Sequence, residues 1–191
     1  MKYVKILGLL AVAAAAMMAF AASASATSVT STTGGATTTP TIHAVNDNGK
    51  HVVLANSIAN IECQSTVEGK VESHGTGVTA KGAISTLTFT GCTNEWHVTT
   101  VKPGTLEVHW TSGHNGTLTS TGANVTTTRF GVTCNYETSN TDIGLVTGGS
   151  PATLDIEANI PIAAGSSFLC GSGSAKWSGG YTTTAALFIE K

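Results

Sequence analysis

Residues 130–170 read FGVTCNYETSNTDIGLVTGGSPATLDIEANIPIAAGSSFLC, and their periodicity decides the fold class. At the start, Phe130, Val132, Cys134 and Tyr136 alternate with Arg129, Thr133, Asn135 and Glu137. At the end, Leu154, Ile156, Ala158, Ile160 and Ile162 alternate with Asp155, Glu157 and Asn159. Side chains repeat every two residues along a strand, so each run has one apolar and one polar face. Gly148-Gly149-Ser150-Pro151 between them has the composition of a turn. Cys134 and Cys170 bracket the stretch as a staple.

The same period recurs upstream. In residues 61–72, Ile61, Cys63, Val67 and Val71 face one way, and Glu62, Gln64, Thr66, Glu68, Lys70 and Glu72 the other. Residues 84–90, ISTLTFT, form a shorter strand that ends at Gly91-Cys92. Residues 96–101 and 105–111 flank Pro103-Gly104 and read as a hairpin. A bulge residue in it would bring Trp96, Val98, Leu106, Val108 and Trp110 to one side. Asn115-Gly116 is the strongest two-residue turn signal in the chain, because a type I′ turn needs positive φ at both positions. Two short strands follow Cys170, and no amphipathic helix of three turns appears after residue 26.

Many short strands with closely spaced turns predict a single all-β domain: an antiparallel β-sandwich or open barrel with two disulfides. The expected inward set is Ile61, Val67, Phe89, Leu106, Val108, Phe130, Val132, Leu154, Ile156 and Ile160. Residues 45–191 are assigned to this domain. Residues 27–44 are Thr/Ser/Gly-rich and read as a flexible arm or a first edge strand.

Residues 1–26 read as a secretory signal peptide. Lys2 and Lys5 form a basic start, residues 6–20 are apolar, and Ala24-Ser25-Ala26 is a small-residue cleavage site, with the cut expected between Ala26 and Thr27. The apolar run is short of the roughly 20 residues that a membrane helix needs. This reading expects a secreted, extracellular protein, periplasmic if an outer membrane retains it, with no transmembrane segment after cleavage. Removing 26 of the 191 residues leaves 165, enough for one core. Without Lys2 and Lys5, seven of the nine basic residues remain against eleven acidic ones, a formal charge of −4. Arg129 is the single arginine, so nucleic acid is not an expected partner, since phosphate tracking needs clustered cations.

Four cysteines in an exported chain imply two disulfides. Their spacing contains no C-x-x-C or C-x-H element of a zinc site. We expect Cys63–Cys92 and Cys134–Cys170, each closing one strand out and one strand back. The rival Cys63–Cys134 would join two inward mid-strand cysteines between sheets.

The segments Ile61-Glu62-Cys63, Thr90-Gly91-Cys92 and Glu95-Trp96-His97-Val98-Thr99, with the later pair Cys134 and Cys170, give a layout that resembles small secreted proteins grouped with the alkane-oxidation protein activator family. Glu95 stands where that pattern has proline. The resemblance implies an extracellular β-protein associated with growth on apolar carbon or with surfaces, and implies no reaction.

Trp96, His97, Glu107, His109 and Trp110 form the candidate binding patch, assembled if the Trp hairpin forms. His97 and His109 would need a third ligand such as Glu107 or Glu95 to hold a metal, so neither metal nor cofactor is expected. The chain has no G-x-S-x-G elbow. Asp155 and Glu157 read as solvated carboxylates, and the two Asp/Asn-rich segments at 47–49 and 139–142 read as turns. The leading reading is therefore a non-catalytic, surface-associated or binding protein with an apolar or cell-surface ligand. A self-associating subunit that pairs through its edge strands is the second reading. A secreted enzyme with an unrecognised site is the third.

Overall fold

The structure, a computed structural model, describes residues 26–35, 39–47, 49–71, 79–171 and 173–191. The signal-peptide reading lies outside the described residues, apart from Ala26. Strands are numbered in chain order: β1 (Ser28–Thr30), β2 (Thr41–Asn46), β3 (Val52–Ala55), β4 (Asn60–Val71), β5 (Thr79–Thr90), β6 (His97–Lys102), β7 (Thr105–Ser112), β8 (Asn115–Thr121), β9 (Asn124–Arg129), β10 (Val132–Glu137), β11 (Thr141–Thr147), β12 (Thr153–Pro161), β13 (Ser174–Thr183) and β14 (Phe188–Glu190).

The all-β antiparallel reading holds, and the architecture is a closed barrel. Its sheet runs β12-β11-β8-β7-β5-β4-β2-β13, and β13 pairs back onto β12 from Thr153↔Thr182 to Pro161↔Ser174. Closure removes the unpaired edges that an open sheet would expose. The stave between β4 and β13 is made of two short strands. β2 pairs with Thr66–Lys70 of β4, and β3 with Asn60–Cys63. Asn46 stitches the break: its amide donates to Lys50 O at 2.6 Å and to Gln64 Oε1 at 2.8 Å, and its carbonyl accepts from Ser65 N at 2.7 Å. Beside it the Thr182 hydroxyl donates to the Asp47 carboxylate at 2.7 Å, and this bond holds the Asp47 pKa below its ordinary value. Thr41–Ala44, compositionally part of the N-terminal arm, belong to β2, and Val29 of β1 is buried and paired with Ile189 of β14.

Period-two patterning fills the barrel as read. Ile61, Leu154, Ile156 and Ile160 are buried, and Val67, Phe89, Leu106, Val108 and Val132 pack against that core. The outward positions carry Glu62, Lys70, Lys81, Asp155, Glu157 and Lys176, all exposed. A transmembrane barrel has the opposite arrangement, with an apolar band outside. Among the described residues no helix is long and apolar enough to cross a membrane.

Both ends of the barrel are covered. At one end lies a three-stranded sheet, β10-β9-β6. Its β9–β10 hairpin leaves the barrel between β8 and β11 at a neck where Thr138 N donates to Ala123 O, Gly122 N donates to Thr138 O and Ala123 N donates to the Thr138 hydroxyl. Val98, Val125 and Tyr136 of this lid face Leu54, Ile61, Phe89, Ile160 and Trp177. At the other end the β1–β14 pair brings Val29 and Ile189 against Val71, Ala80 and Val146.

Both expected disulfides are present, Cys63–Cys92 and Cys134–Cys170. The first ties together the β4–β5 hairpin, whose ladder ends at Gln64↔Thr90. The second joins β10 of the lid to a 3-10 turn, Phe168–Cys170, after β12. Such bonds fit assembly in an oxidising environment.

Three expectations are corrected. The Trp hairpin does not form: β6 pairs with β9, while β7 pairs with β5 and β8. The chain around Pro103-Gly104 crosses from lid to barrel because both strands find longer ladders elsewhere. The β7–β8 hairpin does form, but its turn is Gly113-His114, flanked by Ser112↔Asn115. Gly113 takes the positive φ of 58°, and Gly116 is needed for room, since a Cβ there would sit 2.7 Å from His109 O. Finally, Phe130 is not in the core. It forms the β9–β10 turn with Gly131 and is 80% exposed.

Tyr181 illustrates the core's electrostatics. Its hydroxyl donates to Ser65 Oγ at 3.0 Å inside the barrel, and burial pushes its pKa up from 10.0 to about 12. A phenol that holds its proton more tightly when folded stabilises the fold fully below pH 10, and that contribution is lost as pH rises toward 12. The expected loss is about 2–3 kcal/mol. Alkaline unfolding followed by near-ultraviolet absorbance should show it, and Tyr181→Phe should flatten the profile across that window. An unchanged profile in Tyr181→Phe would reject the assignment.

Candidate functional site

The sequence-derived patch is divided between the two ends of the barrel. Trp96 is buried where the chain enters the lid, and His97 is exposed on β6 opposite Thr128. Glu107 and His109 lie on β7, where His109 pairs with Thr79 at the start of β5. Trp96 follows the other end of β5, so the two groups are separated by nearly its twelve residues, on the order of 35 Å of strand. Glu107 makes an ion pair with Lys81 at 2.6 Å. The Trp110 indole donates to Gly113 O at 2.8 Å, with the Lys191 ammonium 5.2 Å from its ring. His43 and His114 pair with Glu68 and Glu190, each at 3.0 Å. Among the described residues no group of three or more His, Cys, Asp or Glu is placed to hold a metal.

The structure assembles a different surface at the lid end. In the β9–β10 turn Phe130 has φ 49° and Gly131 φ 78°, the double positive φ of a type I′ turn. Positive φ is uncommon for a bulky side chain, so this turn is held by the ladder on either side. It throws the Phe130 ring outward, and the Arg129 guanidinium lies 4.5 Å from that ring and 6.0 Å from the buried Trp96 ring.

A second loop reaches the same place. Ser167 N donates to Thr133 O at 2.8 Å, and its hydroxyl accepts from Leu169 N at 3.3 Å, which caps the 3-10 turn against β10. The disulfide pulls Cys170 inward, and Phe168 and Leu169 are left pointing out, Phe168 at 89% exposure. A third loop is docked there by the Ser57 hydroxyl, which donates to Cys170 O at 3.1 Å. Asn56 shapes it by accepting from Ile58 N and Ala59 N and by donating to Tyr136 Oη at 2.8 Å. Ile58 is exposed beside it.

Phe130, Phe168, Leu169 and Ile58 are thus all exposed on three loops tied together through β10 and the Cys134–Cys170 bond, an apolar tip at the lid end. Sequence reading placed Phe130 in the core and passed over the other three. The Phe130-Gly131 dipeptide was the available signal, masked because it continues an alternating run.

The fold and the tip define a class: a disulfide-bonded, lidded antiparallel β-barrel with a convex apolar tip. No protein-family model matches the chain, and no curated protein or solved structure matches it either.

Proposed function

We propose that this is an exported, non-catalytic protein that attaches to apolar surfaces through its lid tip. The observation that carries the reading is the pair of phenylalanines, Phe130 and Phe168, held almost fully in water by two rigid turns. Apolar side chains concentrated at one point of a surface mark an interaction site. These stand on convex turns rather than in a groove, a shape suited to pressing into a deformable apolar phase. The residues beside these turns are largely uncharged: Ser57, Ser166 and Ser167 in the loops, and Thr128 and Thr133 on the hairpin that carries Arg129. The resemblance of the cysteine-and-strand layout to the alkane-oxidation activator family points in the same direction.

Two exposed rings present roughly 300 Å². Removing half of that area from water is worth about 4 kcal/mol. The Phe130→Ser/Phe168→Ser double variant is therefore expected to keep its thermal midpoint and to adsorb at an oil–water interface at least tenfold more weakly. Adsorption equal to that of the parent would overturn the reading, and concentration-dependent dimers lost in the double variant would replace it with self-association.

A further inference from the structure

Between lid and plug the barrel is incompletely filled. Large inward side chains share the interior with Ala44, Gly69, Ala80, Gly82, Gly116 and Ala158, so opposite walls do not meet everywhere. Among the described residues, voids of about 40, 40 and 30 Å³ result. They lie in a row. The first and second share Leu87, Ala123 and Trp177 as walls, and the second and third share Val67, Leu118 and Leu154. Val67, Leu106 and Val108 face inward yet stay only half-buried, because the space beside them is open.

The lining of the row is mostly apolar: aliphatic side chains, with Phe89, Tyr136, Trp177 and Tyr181 toward the lid and Lys70 and Lys81 at the far end. Its hydroxyls are already engaged: Ser120 with Thr138 at 3.0 Å, and Tyr181 with Ser65. The Trp177 indole N–H approaches the Tyr181 hydroxyl without reaching hydrogen-bond geometry, which leaves a buried donor between the first two voids. Water gains little from walls that offer it so few partners, and a compact ring such as benzene needs a single cavity of roughly 150 Å³. A slender chain matches the shape.

We propose that the barrel interior binds one unbranched aliphatic chain along this row, its terminal oxygen accepting from Trp177 Nε1. The lid is the route in. Among the described residues no lid strand forms a ladder with a barrel strand. The lid is held by an isolated bridge, Tyr136↔Ile162, by the neck at Ala123 and Thr138, by bonds from the loop after β12 to β10 (Ala163 N to Asn135 O and Ser167 N to Thr133 O, each 2.8 Å), by side-chain bonds such as Thr100 Oγ1 to Leu87 O, and by one disulfide. The hairpin that would swing carries Phe130, so the face touching an apolar phase is also the cover of the row.

The site is separate from the tip, and the experiment keeps them apart. The purified, disulfide-bonded protein is titrated with 1-hexanol and with cyclohexanol, which differ in breadth more than in hydropathy, while methyl resonances and tryptophan emission are followed. The expected result is a saturable site for 1-hexanol that moves the methyl signals of Val67, Leu118 and Leu154, with cyclohexanol at least tenfold weaker. Val67→Phe, which fills the second and third voids, should weaken 1-hexanol at least tenfold. Leu87→Ala, which joins the first two, should strengthen cyclohexanol and provides the test if Val67→Phe does not fold. Trp177→Phe should weaken 1-hexanol several-fold. Phe130→Ser/Phe168→Ser should bind 1-hexanol as the parent does, so that loss of adsorption and loss of chain binding are read independently. Equal affinity for the two alcohols, or shifts confined to surface methyls, would overturn the proposal.

Discussion

Replacing Cys134 and Cys170 together by alanine is expected to destabilise the protein by about 4 kcal/mol and to loosen the lid before the barrel. The sequence separation is 36 residues, and the chain-entropy account assigns about that much to a loop of this length. The location adds a second effect. The lid's other attachments are a narrow neck, one isolated bridge, two backbone bonds from the loop after β12 to Thr133 and Asn135, and several side-chain bonds. Hydrogen exchange should therefore show early loss of protection in β6, β9 and β10, with β4, β5, β12 and β13 retained until global unfolding. Cys63→Ala/Cys92→Ala should cost a similar amount, since its separation is 29 residues, but without the early local phase, because β4 and β5 are laddered beside it. Uniform loss of protection in the Cys134/Cys170 variant would show that the lid is part of the barrel's cooperative unit.

Ile156→Ala should cost about 2–5 kcal/mol in denaturant unfolding, toward the upper end of the range for a buried aliphatic truncation. Ile156 is buried on β12 and lines the middle void. Deleting its side chain enlarges a space that already exists, and the surrounding walls are held by strand ladders on both sides, β11 through Gly144↔Ile156 and β13 through Ile156↔Gly179. Gly144 leaves little freedom for collapse, since its φ of 148° follows a register shift in the β8–β11 pairing and a Cβ there would collide with Asp155 O. Glu68→Ala, on the outer face of β4, should change stability by no more than about 1 kcal/mol, because its contact with His43 is half exposed. A cost for Ile156→Ala no larger than that for Glu68→Ala would contradict the assignment of the barrel's inside.

The all-β class, the inward faces of β4 and β12 and the pairing of the cysteines were legible in the sequence. Each depends on local spacing: period two for the faces, and for Cys63–Cys92 a strand and its immediate return. Beyond hairpins such as β4–β5 and β7–β8, which strand lies beside which was not legible. β6 and β7 are neighbours in the chain with a Pro-Gly between them, yet backbone hydrogen bonding is satisfied better by β9 on one side and by β5 and β8 on the other. The same competition separated Trp96 and His97 from Glu107, His109 and Trp110.

Phe130 shows the limit of periodicity itself. Its place in an alternating run says that its side chain differs in direction from its neighbours', and says nothing of whether a core lies there. The turn at Phe130-Gly131 ends the ladder one residue earlier, and the ring meets water. The tip and the row of voids are products of tertiary structure alone. Phe168 and Ile58 are 110 residues apart in the chain, and their loops are neighbours only because a disulfide and the Ser57–Cys170 hydrogen bond draw them together. The voids exist because closing eight staves fixes the width of the interior, and the side chains then fill that width incompletely.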